Sequence, residues 1–289
     1  MRRAAARTLA VHRGSGLVVW HGRQRLGKTV TAKWLSKKIN EQHSPDNPDS
    51  FRSVYYEVAG ASATLSVKHG IRSLYHATIG RLDEGTYRHL PAEDLALQLV
   101  HGLRRKNIQV AFVDEAGSLP LAAIRGMVVV RDVAENTGWT LTLVFVGMDD
   151  LPTKLIHLPQ IDGRVHEWCY FEPYSVDEVW QLLSELHPHF AGLDARKKAH
   201  REQVEFIYKT FGGVPGQIVP FIRKMSQRLQ EYGGEPDLIL LRSVHLSTVR
   251  DKTRALKDAR LKYQDKPPEV AGEPQKVSKK RAQKEGDAA

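Results

Sequence analysis

Residues 22–29 read Gly22-Arg23-Gln24-Arg25-Leu26-Gly27-Lys28-Thr29 and fit the pattern G-x-x-x-x-G-K-[ST]. The pattern is a strong constraint on the fold because it works in one setting only. A buried strand must deliver the chain to the turn, and a helix must begin at its far end. Both are legible. Residues 16–20 (Gly-Leu-Val-Val-Trp) form a short apolar run, and residues 28–40 place Val30, Trp34, Leu35 and Ile39 at helical spacing. The glycines let the backbone curl until its N–H groups converge on phosphate, and the helix adds its positive N-terminal end. Lys28 is expected to reach the β- and γ-phosphates of ATP, and Thr29 to bind Mg²⁺. Gly22, Arg23, Gln24, Arg25, Leu26, Gly27 and the first-turn residue Val30 complete the expected nucleotide contacts.

A second motif fits the same chemistry. Val110-Ala-Phe-Val113 is an apolar strand that runs directly into Asp114-Glu115. Asp114 is expected to hold Mg²⁺ through water, and Glu115 to orient and activate the attacking water. Acids are common in the turn after a strand, so this pair gains its meaning from the phosphate loop upstream. An adjacent Asp-Glu pair points to hydrolysis and away from a small-molecule kinase.

Between and beyond these motifs, strands and helices alternate. Strands are expected at 53–58, 109–113, 141–146 and 168–171, and helices at 65–79, 92–106 and about 121–136. Alternation of this kind gives an α/β core built on a mostly parallel sheet. From Tyr174 onward the pattern is helical. Ser175-Val-Asp-Glu178 is a capping box that opens a helix through Leu186. Helices near 197–211, 215–232 and after Pro236 follow. The expected organisation is a basic extension at 1–16, a nucleotide-binding core at 17–173, an all-helical lid at 174–264 and a disordered charged tail at 265–289. The Arg-rich start superficially resembles a transit peptide, but cleavage there would cut into a strand that begins near Leu17.

Several function classes are excluded. One cysteine, Cys169, rules out an internal disulfide framework. No apolar run approaches the length of a membrane span, and a cytoplasmic location is expected. The thirteen histidines show no metal-ligand spacing. Trp20, Trp34, Trp139, Trp168 and Trp180 are expected in the core.

Taken together, the loop, the Asp-Glu strand, the apolar strand Leu141–Gly147, an arginine in Asp162-Gly-Arg164-Val and the helical segment resemble AAA+ ATPases. Within that superfamily the chain looks most like the transposition regulators TnsC, TniB and the phage Mu B protein. Val-Phe-Val-Gly147-Met-Asp-Asp-Leu151 is similar to their strand and turn, and Phe211-Gly-Gly-Val-Pro-Gly216-Gln-Ile-Val219 to their lid-helix start. The resemblance implies oligomers, rings or helical filaments, that form on double-stranded DNA in the ATP state. It also implies recruitment of a DDE-type transposase, with a possible targeting factor, and disassembly on hydrolysis. Arg164 would be the finger that reaches a neighbouring subunit's γ-phosphate, with Lys154 as a weaker alternative. Lys68 and Arg72, four apart on one helix face, and Thr86 would contact DNA. Two departures stand out. Met148 then Asp149 occupy the turn where Thr or Asn is usual, and Gln217 occupies a lid position that often carries arginine. Both suit a slow switch better than a motor. Other readings are an initiator or helicase loader of the Orc/Cdc6 or DnaC/IstB kind and a STAND-like signalling ATPase with no DNA role. Orc/Cdc6 proteins usually carry a winged-helix domain after the lid, and about 25 low-complexity residues follow here, which counts against the first of these.

The net charge of +10 is unevenly placed. Residues 17–240 hold 26 basic and 26 acidic residues, whereas residues 241–264 hold seven basic and two acidic. A basic excess points to a polyanion such as nucleic acid, yet the ATPase core is neutral.

Overall fold

The computed structural model describes residues 2–12, 15–47, 49–58, 66–81, 83–233 and 236–264. The expected disordered tail, 265–289, lies outside the described residues. The chain divides into two compact units, residues 1–238 and 239–289.

The first unit opens with helix α1 (Arg2–His12), followed by strand β1 (Leu17–His21) and helix α2 (Lys28–Gln42). Strand β2 (Arg52–Glu57) leads to helices α3 (Val67–Thr78), α4 (Glu84–His89) and α5 (Ala92–Arg105). Strand β3 (Ile108–Asp114), helix α6 (Leu121–Asn136) and strand β4 (Thr142–Val146) come next. Two short helices, α7 (Asp150–Ile156) and α8 (Pro159–Asp162), precede strand β5 (Val165–Tyr170). Helices α9 (Val176–Leu186), α10 (Pro188–Ala191), α11 (Lys198–Phe211) and α12 (Pro215–Tyr232) complete the lid. The second unit is described by helix α13, Leu238–Gln264.

The five strands form one parallel sheet in the order β2-β3-β4-β1-β5. Alternate residues of each central strand feed opposite layers, as the two-residue period of a strand requires. Leu17 and Val19, Ala111 and Val113, and Leu143 and Phe145 join the layer made with α3, α5 and α6. Val18 and Trp20, Val110 and Phe112, and Val144 and Val146 join the opposite layer with α1 and α2. A sheet covered on both faces explains why its strands read as continuous apolar runs. The basic N-terminal stretch is a helix whose small residues Ala4, Ala5 and Thr8 are buried. Thr8 accepts a hydrogen bond from the Trp20 indole N–H at 3.1 Å, which ties α1 to β1.

Two expectations for α2 fail. Val30 is 65% exposed and Trp34 is 49% exposed. The buried face instead runs through Lys28, Thr31, Ala32, Leu35, Ser36 and Ile39. Polar groups set that face, with Ser36 hydrogen-bonded to Ser53 of β2 at 2.9 Å. Trp20 is fully buried, and Trp139, Trp168 and Trp180 are half-buried. The lid begins as its sequence specifies. Ser175 Oγ accepts from the Glu178 N–H, and the Glu178 carboxylate accepts from the Ser175 N–H.

Candidate active site

Because β4 lies between β1 and β3, the C-terminal ends of three adjacent strands carry the chemistry. β1 ends in the phosphate loop, β4 in Gly147-Met148-Asp149, and β3 in Asp114-Glu115. In open α/β sheets this is the edge where ligands bind.

The loop has the backbone that a phosphate cradle needs. Gly22 has φ 143°, Gly27 has φ 93° and Arg25 has φ 66°. Gly22 is required twice over, because a Cβ there would meet the Phe171 carbonyl oxygen at 2.6 Å. The Lys28 ammonium donates to the carbonyls of Gly22 at 2.6 Å and Arg23 at 2.7 Å. Burial lowers the pKa of Lys28, and the carboxylates of Asp149, Asp114 and Glu115 act against that, in that order. Asp149 is thus the strongest negative neighbour of Lys28, and it acts in the same sense on His21 at the end of β1. Thr29 follows, half-buried, in the first turn of α2.

Asp114 is 2% exposed, and both carboxylate oxygens are held. Oδ1 accepts the Glu115 N–H at 2.9 Å, and Oδ2 accepts the Tyr55 hydroxyl at 2.6 Å. Each oxygen keeps a lone pair for a metal-bound water. Tyr55, on β2, is the residue that sequence reasoning missed. Burial and its hydrogen bond to Asp114 raise its pKa well above the usual value, so it stays a donor. Lys33 sits over its ring at 4.9 Å and pairs with Glu57 at 3.3 Å. Glu115 is exposed and left-handed, at φ 56°.

These residues fit nucleotide and Mg²⁺. The cradle is formed, an ammonium is poised in it, and a buried carboxylate is oriented beside it. Among the described residues no three His, Cys, Asp or Glu side chains cluster to hold a metal. A divalent ion here would therefore take most of its ligands from phosphate and water.

The lid reaches the loop through Gly216, whose N–H donates to the Arg25 carbonyl at 2.9 Å. A Cβ at Gly216 would lie 2.6 Å from Arg25 Cβ, so the contact tolerates no side chain. Gln217, the expected lid contact, is exposed beside it. An open cavity of about 940 Å³ borders Leu26 and is lined by Arg7, Tyr170, Phe171, Tyr174 and Glu178. The Cys169 thiol at its wall is buried and pushed up to about 11, which keeps it inert.

Arg164 stands apart from this group. It precedes β5 at the opposite end of the sheet and pairs with Asp132 of α6. Lys154 donates to the carbonyls of Gly117, at 2.7 Å, and of Leu119, so it serves as a structural clamp. Lys68 and Arg72 do share a face of α3, and both fold onto α4. Lys68 donates to the Arg88 carbonyl at 3.4 Å, and Arg72 stacks over the Tyr87 ring at 4.4 Å. Thr86 belongs to that same short helix, and its side chain lies outside the described residues.

Known structures share this fold. No curated protein sequence matches the chain. The fold is similar to the Orc2 protein of Aeropyrum pernix, solved as ADPNP–ADP complexes, with TM-score 0.60 at 17% identity over 84% of this chain and 66% of that one. It is similar to Cdc6p from Pyrobaculum aerophilum, with TM-score 0.57 at 18% identity over 80% of this chain and 62% of that one. It is also similar to the A. pernix Orc1 protein in complex with DNA, with TM-score 0.58 at 16% identity over 88% of this chain and 66% of that one. The chain thus spans just under two thirds of the length of these structures. Among the described residues no helix is long and apolar enough to cross a membrane. The AAA domain family matches residues 11–155, from the end of α1 through the phosphate loop and the Asp-Glu strand into α7. The chain therefore belongs to the AAA family of P-loop ATPases.

Proposed function

We propose that the chain is an ATP-controlled switch that assembles on duplex DNA and leaves it after hydrolysis. The observation that carries the reading is the convergence of Lys28, Asp114, Glu115 and Asp149 at three adjacent strand ends. When nucleotide enters, Lys28 exchanges the Gly22 and Arg23 carbonyls for phosphate oxygens. The N–H groups of the loop and of the first turn of α2 surround those phosphates. Thr29 and Asp114 would hold Mg²⁺, which would supply positive charge to the phosphates. Glu115 orients the water, and Tyr55 keeps Asp114 facing the metal side. The cavity beside Leu26 takes the nucleoside, with Tyr170, Phe171 and Tyr174 as its aromatic walls.

Arg164 acts in trans. Its own phosphate loop is at the far end of the sheet, so a catalytic role requires a neighbouring subunit. Leaving Asp132 for a neighbour's γ-phosphate makes hydrolysis depend on assembly. Lys68, Arg72 and Thr86 would orient α3 and α4 toward DNA without supplying most of its charge contacts.

Within this reading, the sequence resemblance to TnsC, TniB and Mu B supports a regulator of DNA transposition that recruits a DDE-type transposase. The fold likeness to Orc and Cdc6 proteins supports a second reading, an initiator or loader ATPase. Stimulation of hydrolysis by a DDE-type transposase separates the two.

Particle size with ATP and duplex, read by mass photometry and electron microscopy, tests the switch itself. Wild type is expected to form rings or filaments that Lys28→Ala abolishes. Mixing Arg164→Ala with Glu115→Gln subunits is expected to restore part of the activity that each lacks. A wild-type chain that stays monomeric with ATP and duplex at low salt contradicts the reading.

A further inference from the structure

We propose that the electrostatic grip on duplex DNA is helix α13 and not the ATPase core. The inference rests on the DNA-binding reading above and names the element that supplies it. The core carries no net charge. Its basic and acidic residues balance over 17–240, and many of its cations are engaged. Lys33 pairs with Glu57, Arg131 with Asp132 and Glu135, and Lys209 with Glu205. Lys68 and Arg72, the core's candidate DNA contacts, are half-buried and folded onto α4.

α13 is built differently. Arg242, Arg250, Lys252 and Arg254 are exposed, and none has a carboxylate partner among the described residues. At 3.6 residues per turn, Arg242, Arg250 and Arg254 fall within about one third of the circumference, over about 18 Å of axis. Duplex DNA presents about one negative charge per 1.7 Å, so roughly ten phosphate charges face that length. Guanidinium forks suit phosphate oxygens, and they carry no sequence information in doing so. A basic helix can also lie on an anionic lipid surface, which requires a continuous apolar face. Ile239, Leu246 and Val249 of α13 are also exposed, but beyond them residues 250–255 (Arg-Asp-Lys-Thr-Arg-Ala) offer three cations and no bulky apolar side chain, so the apolar face is not continuous along the helix and the C-terminal half favours nucleic acid.

The test uses the full chain carrying Arg242→Ala, Arg250→Ala and Arg254→Ala together. Alanine is a strong helix former, so α13 persists, and circular dichroism checks it. The probe is a labelled duplex of mixed sequence, titrated with ATP present between about 50 and 200 mM salt. Three lost phosphate contacts make the slope of log affinity against log salt shallower by about 2.7 and weaken binding more than about tenfold. Lys68→Ala with Arg72→Ala is expected to change the slope by less than about 1. An unchanged slope in the triple variant overturns the inference. So does loss of binding to phosphatidylserine vesicles while duplex affinity is kept, because α13 would then face a membrane. Absence of duplex binding by wild type at the lowest salt contradicts the DNA reading itself and is read before any variant is made.

Discussion

At the nucleotide end of the sheet Lys28 and Asp114 are held by neighbours, whereas along α13 four exposed cations have no carboxylate partner among the described residues. Lys28 is held by two loop carbonyls, and Asp114 by Tyr55 and the Glu115 N–H. The contrast separates two jobs. A catalytic site gains from groups fixed before the reaction, because no reorganisation is then needed at the barrier. A surface that collects a long polyanion gains from charges left free, because each released counterion adds affinity. The held groups should respond to geometry and little to salt, and the free ones the reverse.

The largest blow to that contrast should come from Gly216→Ala. A methyl there collides with Arg25, so either the lid or the phosphate loop must move. Overpacking of this kind costs about 1–3 kcal/mol. Titration with a fluorescent nucleotide is expected to show affinity reduced about tenfold or more, with duplex salt dependence unchanged. A variant that binds nucleotide like wild type would show that the lid contact does not hold the loop.

A smaller effect is expected from Tyr55→Phe, which removes one hydrogen bond from a buried carboxylate, worth about 1–3 kcal/mol. The loss should appear as weaker nucleotide binding with Mg²⁺ and unaltered binding without it. Equal loss in both conditions would mean that Tyr55 only supports β2.

The smallest effect is in pH. Burial lowers the pKa of Lys28 below 10.5, so the free site loses its ammonium earlier than an exposed lysine would. Nucleotide affinity is expected to start falling with rising pH below 10.5. Contacts made by guanidinium groups keep their charge over that range, so duplex binding through α13 should stay level. Parallel losses in both would break the contrast.

How much of this was legible in sequence follows from chain distance. The phosphate loop and Asp114-Glu115 are contiguous signals, because curling the backbone and ending a buried strand are local events. Tyr55 meets Asp114 from 59 residues away, and Arg164 meets Asp132 from 32 away. No spacing rule connects such pairs until strand order brings β2 beside β3. The α2 misreading has a similar cause. Val30 and Trp34 keep helical spacing, but the face with Ala32, Leu35, Ser36 and Ile39 is the one packed on the sheet, where Ser36 hydrogen-bonds to β2, and this leaves the two apolar residues outward. At the lid, Gln217 is marked in sequence by its place where the family often carries arginine, while the adjacent contact between lid and loop leaves no such mark. That lid–loop contact is made by Gly216, through a backbone N–H and the lack of a side chain.

The account stands or falls on nucleotide control of DNA affinity. The direct measurement is anisotropy of a labelled duplex titrated with the full chain at one fixed salt concentration. Glu115→Gln with ATP holds the bound state, and wild type with ADP gives the released one. The account predicts binding at least about tenfold tighter in the ATP state, a coupling of about 1.4 kcal/mol or more. Equal affinities in the two states would contradict it.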